Sequence, residues 1–543
     1  MLRIVGARLL YASSRIRIGR GLASKVAIDS SNLEFTKRNE LVLSSLDRYY
    51  PSMSSIERGN LVSIDIFLKK YGSTSEDQLN KINQKISLCG RIKSIRFSGK
   101  KMAFIDLVDG IHGIQLILNC REIGNSATFE SELSFLRKGD YVMTTGLPRL
   151  SKSRMKNISL RCTDLPKILS VAQMPLPPKL IDTVKSNSNK VVDYQINGFQ
   201  NIRIRSSILK SIRNFLEERD FIEVETPILS SKSNGAVAKP FMSSSKDFDK
   251  LMLRVAPELW LKRLIISGCN KVFEIGKSFR NEGIDGSHNP EFTTLEFYQS
   301  YLTMEDLIKL NEDLFKKIIT DLTNNLTIKQ YLPESLLELE DILKSNNWKF
   351  KRVEFLPTLS KELGVDLSQV KIEDSKQLLE VIPQKYKGQF FGKSSSYSSS
   401  QILNRLCSEL IEEKYCNSSH PTIIYHHPAV ISPLAKSNPD DSRTTKRFEL
   451  FIKGREYSNA YEEENCPQVQ LEKFEQQARM KEDYGDNDTL SSIDQEYINA
   501  MKWGMPPIGG FGLGIDRLCM LITGCQRIEQ VLPFGTLDDV NRQ

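Results

Sequence analysis

The stretch from Lys85 to Asn119, "KISLCGRIKSIRFSGKKMAFIDLVDGIHGIQLILN", constrains the fold more than any other part of the chain. Its apolar and polar residues alternate in short runs, broken at Ser98-Gly99 and Asp109-Gly110. Alternation of period two suits a strand with one buried face, and glycine at these breaks suits tight turns. Short strands joined this way predict a small β-barrel. "GDYVMTTGLPRLSKS" and "ISLRCTDLPKIL" carry the pattern on to about residue 170.

One barrel does not account for 543 residues. At roughly 150 residues per domain, two to four domains are expected. A content of 40% hydrophobic and 26% charged residues fits a globular chain. No apolar run approaches the roughly 18 residues of a membrane span, so no membrane partner is expected. The net charge of +8 permits a nucleic-acid partner without requiring one. The nine cysteines form no C-x-x-C pair, which argues against a zinc site or disulfide framework and for a reducing compartment. His426 and His427 are adjacent and point apart, a poor metal pair.

Residues 1–28 stand out. Arg3, Arg8, Arg15, Arg17, Arg20 and Lys25 precede the first acid, Asp29, and Leu2, Val5, Leu9 and Ile16 share a helical stripe. This reads as a mitochondrial transit peptide; the alternative is a basic arm that touches RNA. Residues 29–85 read as a helical, polar extension, 86–170 as the barrel, and 171–192, with "MPLPPK" and "KSNSNK", as a linker. A second large domain is expected over 193–543. It opens with Ile204, Ile208, Ile212, Phe215 and Leu216 at helical spacing, then the strand-like "FIEVETPIL" with Pro227 at an edge. Residues 305 to about 400 read as a variable helical insertion with a serine-rich loop, "SSSYSSS".

The familiar nucleotide signatures are missing. There is no G-x-x-x-x-G-K-[ST], and "GGFGLG" is not G-x-G-x-x-G. Yet Gly509, Gly510, Gly512 and Gly514 run into an apolar helix headed by Asp516 and Arg517. Alone, these glycines read as a plain turn rather than as a close approach to a ligand. "FRNEGIDGSHNPEF", residues 279–292, crowds an arginine, a glutamate, a histidine and a phenylalanine between glycines.

The helix with "FIEVETPIL", then "VFEIGKSFRNEGIDGSHNPEFTTLEFYQSY", then "GGFGLGIDR" resemble, in that order, motifs 1, 2 and 3 of the class II aminoacyl-tRNA synthetases. "APELWLKRL", "HHPAVISPLAK" and "RFELFIKGRE" extend the resemblance to the lysyl-tRNA synthetases, over most of residues 86–543. The resemblance implies an α+β fold: a class II synthetase antiparallel sheet with flanking helices, plus an N-terminal OB-fold β-barrel that binds the anticodon.

It also implies roles. Arg280 would hold the α-phosphate of ATP and the substrate carboxylate, a task that suits a guanidinium fork. Glu282 and the backbone near Asn289 would meet the adenine amino group, and His288 the outer phosphates. Phe292 would stack on the adenine with Arg517 on its other face, and Gly512 would leave room for ATP. Glu449 and Glu456 would hold Mg2+; seven apart, they need a bend or bulge between them, and without the resemblance they are two solvated acids. Glu463 and Tyr298 would take the side-chain ammonium of L-lysine. Glu258, Glu296 and the Gly235 backbone would take its α-amino end, with Asn459 and Tyr461 along the stem. "SNAYEEEN" favours lysine over aspartate or asparagine. Asp285, Ser287, Glu464 and Cys466 depart from the family pattern. In the barrel, Arg91, Phe104 and Gln115 would read the anticodon; on the residues alone, Phe104 is barrel core. The implied partners are tRNA(Lys), ATP, L-lysine and a second copy of the chain, in the mitochondrial matrix.

Overall fold

A computed structural model of the chain describes residues 30–124, 126–152, 156–231, 238–391, 397–485 and 493–542. The arginine-rich segment 1–28 and Gly235 lie outside the described residues. Two compact units meet at Lys179 and Leu180.

In the first unit the strands are β1 (Leu61–Val62), β2 (Ile86–Ser98), β3 (Met102–Asp109), β4 (His112–Asn119), β5 (Tyr141–Leu150), β6 (Ile158–Cys162) and β7 (Lys167–Ser170). Pairing runs β2-β3-β4-β6-β5, and β5 pairs back onto β2, which closes a barrel. The turns fall where the glycines are: Gly99 and Gly110 take φ of 63° and 61°, a region that disfavours other residues. Inside the barrel Leu88, Ile105, Leu107, Leu116 and Leu160 are fully buried. Helices Ile64–Tyr71 and Glu76–Lys81, each capped by a serine, add Ile64, Phe67, Tyr71 and Leu79 to that core. The helix Ser30–Leu43 is tied on by Arg38, whose buried guanidinium pairs with Asp140 and lies 4.5 Å from the Phe135 ring.

The second unit holds β8 (Ile222–Glu223), β9 (Leu229–Ser230), β10 (Met242–Ser243), β11 (Leu251–Leu253), β12 (Lys271–Phe279) and β13 (Glu291–Ser300). It continues with β14 (Lys351–Glu354), β15 (Thr422–Tyr425), β16 (Arg447–Ile452), β17 (Arg455–Glu462) and β18 (Ile508–Gly514). Eight of these form one sheet in the order β14-β15-β16-β17-β18-β13-β12-β8. The six central strands are antiparallel, whereas β8 and β14 join the two edges in parallel. One face packs Phe273, Leu295, Phe297, Phe448, Leu450, Phe511 and Leu513 against the helices Gln200–Glu217, Met304–Asn324 and Ile515–Thr523.

Three segments differ from the sequence reading. "KSNSNK" is not extended: Asp182 and Asn189 cap the short helices Thr183–Ser188 and Lys190–Asn197, so polar residues that suggest a linker act here as helix caps. Only Ile222–Glu223 of the start of "FIEVETPIL" pairs with the large sheet. The stretch 305–400 is not wholly an insertion. Leu307, Ile308, Leu314, Phe315 and Ile318 belong to the main core, and β14 is a strand of the sheet; a second apolar cluster begins only at Phe355.

Candidate active site

Strand alternation builds the site. The face opposite the core carries two rows of aligned residues across four strands. Arg447, Tyr461, Gly510 and Tyr298 make one row, and Glu449, Asn459, Gly512 and Glu296 the other. The neighbours Phe297, Phe511, Ala460 and Phe448 point into the core, so a strand slip of one residue would destroy core and site together. Over this face lies a cleft of about 530 Å³, within the usual range for a small-molecule site. Arg280, Glu282, His288, Asn289, Phe292, Gly512 and Arg517 line it, as do Glu258, Glu296, Tyr298, Asn459 and Tyr461, with Glu449 and Glu456 also on its wall. Glu463 is absent from the lining, and Gly235 lies outside the described residues.

The loop between β12 and β13 holds its shape by its own hydrogen bonds. Asp285 accepts from the backbone of Ser287 and His288 at 2.6 and 2.8 Å. Some burial works against the Asp285 carboxylate, but the Ser287 backbone and hydroxyl and the His288 ring hold its pKa down at about 2. Arg517 donates to His288 Nε2 at 2.7 Å, so the ring proton sits on Nδ1 and is donated to Asp285 at 2.7 Å. Asp285 thus holds His288 in the Nδ1-protonated tautomer. The Arg280 guanidinium lies 5.2 Å from the Phe292 ring centre, and its buried Nε meets no acceptor among the described residues. That leaves a cation with donor capacity facing the cleft.

The bend required between Glu449 and Glu456 is a two-residue hairpin, with Lys453 and Gly454 at φ 51° and 69°, plus a bulge at Leu450/Phe451. The two carboxylates come together on neighbouring strands. Burial works against the Glu449 carboxylate, but Arg447 and His427 overcome it and hold the pKa at about 2. Glu456 shifts upward, from burial and from the charge of Glu449. Two carboxylates that repel each other on the wall of the cleft suit a hard divalent cation. Arg447 also donates to Asn459 Oδ1 at 3.1 Å and to the Ile431 carbonyl at 2.8 Å, so it ties three walls of the cleft together.

At the acidic part, Tyr461 donates to Glu258 at 2.7 Å and Tyr298 to Glu296 at 3.1 Å. Burial and the charge of Glu258 push Glu296 up to about 8. Glu463 lies just behind the lining: its Oε1 is against Gly510, and its Oε2 lies 2.5 Å from Lys262 Nζ. Glu464 is fully engaged by Lys436 and Lys473 at 2.9 and 3.1 Å, which accounts for an acid at that position without a ligand.

Sequence reasoning missed Arg205, Lys262 and Arg447. Arg205 pairs with Asp516 at 2.6 Å and donates to Thr293 Oγ1 at 3.0 Å, and Asp516 accepts from the Thr293 backbone at 2.8 Å. One buried ion pair therefore joins all three sequence motifs. The signal was present, since Arg205 follows directly on the core position Ile204, where a charge needs a partner.

In the barrel unit, Phe104 sits on the outer face of β3, because Ala103 and Ile105 beside it are the fully buried positions. Period two thus takes Phe104 out of the core. Gln115 stands on β4, where it pairs in register with Asp106 and donates to it at 3.5 Å, and Arg91 stands on β2 opposite Val108.

Comparison with known proteins agrees with this architecture. Residues 187–538 match the family of tRNA synthetases class II (D, K and N), and residues 86–168 match the OB-fold nucleic acid binding domain. A mitochondrial lysine–tRNA ligase of Saccharomyces cerevisiae is 52% identical over 99% of this chain and 98% of its own length. One from Schizosaccharomyces pombe is 39% identical over 90% of each chain. A lysine–tRNA ligase of Mycoplasma capricolum is 37% identical over 86% of this chain and 90% of its own. With the three motifs joined through Arg205 and Asp516 on one sheet, the chain belongs to the class II tRNA synthetases of the D, K and N group and carries an OB-fold nucleic acid binding domain.

Proposed function

We propose that this chain ligates L-lysine to tRNA(Lys) at the expense of ATP, through a lysyl-adenylate, for translation in the mitochondrial matrix. The observation that carries the reading is the chemistry of one cleft, which gathers arginines and a histidine together with carboxylates and tyrosines. A substrate with two ammonium groups and one carboxylate suits that lining; an aspartate side chain would meet carboxylates. Relatives named mitochondrial lysine–tRNA ligases support both substrate and compartment.

The lysine carboxylate attacks the α-phosphate, and the protein supplies position and charge rather than a nucleophile. Arg280 holds that carboxylate and the α-phosphate, while Phe292 and Arg517 clamp the adenine. Glu282 and Asn289 contact its amino group, and His288 reaches the outer phosphates. Glu449 and Glu456 offer the hard oxygens that Mg2+ takes, and such an ion neutralises phosphate charge when bound. Glu258, Glu296 and the Gly235 backbone receive the α-ammonium, Glu463 and Tyr298 the side-chain ammonium, and Asn459 and Tyr461 flank the stem. The lysyl group then passes to the 3′-hydroxyl of the terminal adenosine. Arg91, Phe104 and Gln115 read the anticodon by stacking and hydrogen bonding. The enzyme acts as a homodimer; the exposed apolar residues Ile222, Ile228 and Leu229 support that assembly.

The test is amino-acid-dependent ATP–pyrophosphate exchange, with lysine, aspartate and asparagine offered separately. Exchange with lysine alone is expected. Exchange with another amino acid would overturn the pocket assignment, and none at all would overturn the activity.

A further inference from the structure

Lys262 lies beside the acidic part of the cleft, on the helix Glu258–Ile266, and is 0% exposed. Its ammonium is 2.5 Å from Glu258 Oε1 and 2.5 Å from Glu463 Oε2. The rings of Tyr298, Tyr461 and Tyr497 surround it at 5.9, 5.6 and 5.9 Å. Burial alone would pull the ammonium toward its neutral form, but the two carboxylates hold its pKa above the ordinary lysine value. A buried ion pair of this kind is weak grounds for stability, since apolar replacements are often neutral or better. Its place between two carboxylates assigned to the substrate suggests a different use.

We infer that Lys262 is a positioning residue that determines specificity for lysine, by pinning Glu463 and setting the charge of the pocket. The inference rests on the lysine reading above. Glu258, Glu296 and Glu463 are three carboxylates, and Lys262 neutralises one of them. Once the bound substrate has ionised Glu296, two negative charges remain for the two ammonium groups it brings. Lys262 also orients the carboxylate. Its ammonium lies 2.5 Å from Glu463 Oε2, while the buried Glu463 Oε1 meets no donor among the described residues. That oxygen lies against Gly510 on the cleft floor, where a Cβ would come within 2.1 Å of it. An amino acid of similar length without the terminal ammonium leaves the oxygen buried and unpaired, which is a strong basis for rejection. Without Lys262, the third carboxylate lacks a cation and Glu463 loses its anchor.

The experiment measures lysine-dependent pyrophosphate exchange for the full chain, K262M, E463Q and the double variant. Exchange by the unaltered chain with lysine is the control; its failure would refute the lysine reading, not this inference. K262M is expected to raise the KM for lysine roughly 30-fold or more, with the KM for ATP unchanged. The double variant is expected to be no worse than E463Q, because Lys262 acts through Glu463. A normal lysine KM in K262M, equal rises for lysine and ATP, or additive effects in the double variant would overturn the role. If K262M does not fold, comparison of the double variant with E463Q decides alone: an equal lysine KM supports the role, and a further rise refutes it.

Discussion

Replacing Glu296 with glutamine should abolish a proton release that accompanies lysine binding. In the empty site, burial and the nearby Glu258 push the Glu296 carboxyl up to about 8; the hydroxyl of Tyr298 and the charge of Arg280 offset only part of this. At pH 7 roughly ten molecules in eleven then hold the proton, since each pKa unit is a factor of ten. The α-ammonium of lysine needs the carboxylate, so binding expels that proton: about 0.9 per lysine at pH 7. Below the raised pKa, affinity should improve by up to about tenfold per pH unit. The stability of the empty protein runs the other way. The native state keeps a proton that the unfolded chain has released above the ordinary 4.5, so stability falls as pH rises from there to about 8. The slope is at most about 1.4 kcal/mol per pH unit, and bound lysine should flatten it. Calorimetric titration at pH 7, in two buffers of different ionisation heat, gives the proton count directly. Zero release by the unaltered chain, or equal release by E296Q, would refute the reasoning.

Three further outcomes follow from the geometry. Arg280→Ala should lower lysine-dependent pyrophosphate exchange by roughly 10²–10³-fold, the usual cost of removing a group aimed at developing charge; a normal rate would remove Arg280 from the α-phosphate. Gly510→Ala should abolish lysine activation while ATP still binds, because the new Cβ would lie 2.1 Å from Glu463 and 2.6 Å from the Tyr298 ring. Unchanged exchange in that folded variant would show that lysine does not lie over Gly510. Phe104→Ala should raise the KM for tRNA roughly 5- to 150-fold, the loss of one stacked base, and leave pyrophosphate exchange untouched; a normal tRNA KM would return Phe104 to a structural role.

Much of the site was legible because its signals are local. The loop 279–292 carries its glycines, Arg280 and His288 within one stretch, and its hydrogen bonds to Asp285 are made within three residues. The barrel strands follow from alternation and from Gly99 and Gly110, because a strand with one buried face must alternate and its turns must be tight. Seven-residue spacing also required the bend between Glu449 and Glu456, although not that it would be a hairpin. The roles given to these side chains came from the resemblance to the synthetases and not from spacing.

What the sequence alone determined was therefore the set of motifs, the strand periodicity and the acidic run "SNAYEEEN". What it left open was pairing across long separations. Nothing near Lys262 in the chain reveals that its ammonium meets Glu463, or that Arg205 meets Asp516; both pairs exist only once the sheet brings remote segments together. The strand Lys351–Glu354 lacked a distinctive pattern, and joined the sheet because β15 presented an edge to it. A charge can be read from one residue, but its energy depends on the partner and on exclusion from water, and only the tertiary structure supplies those two.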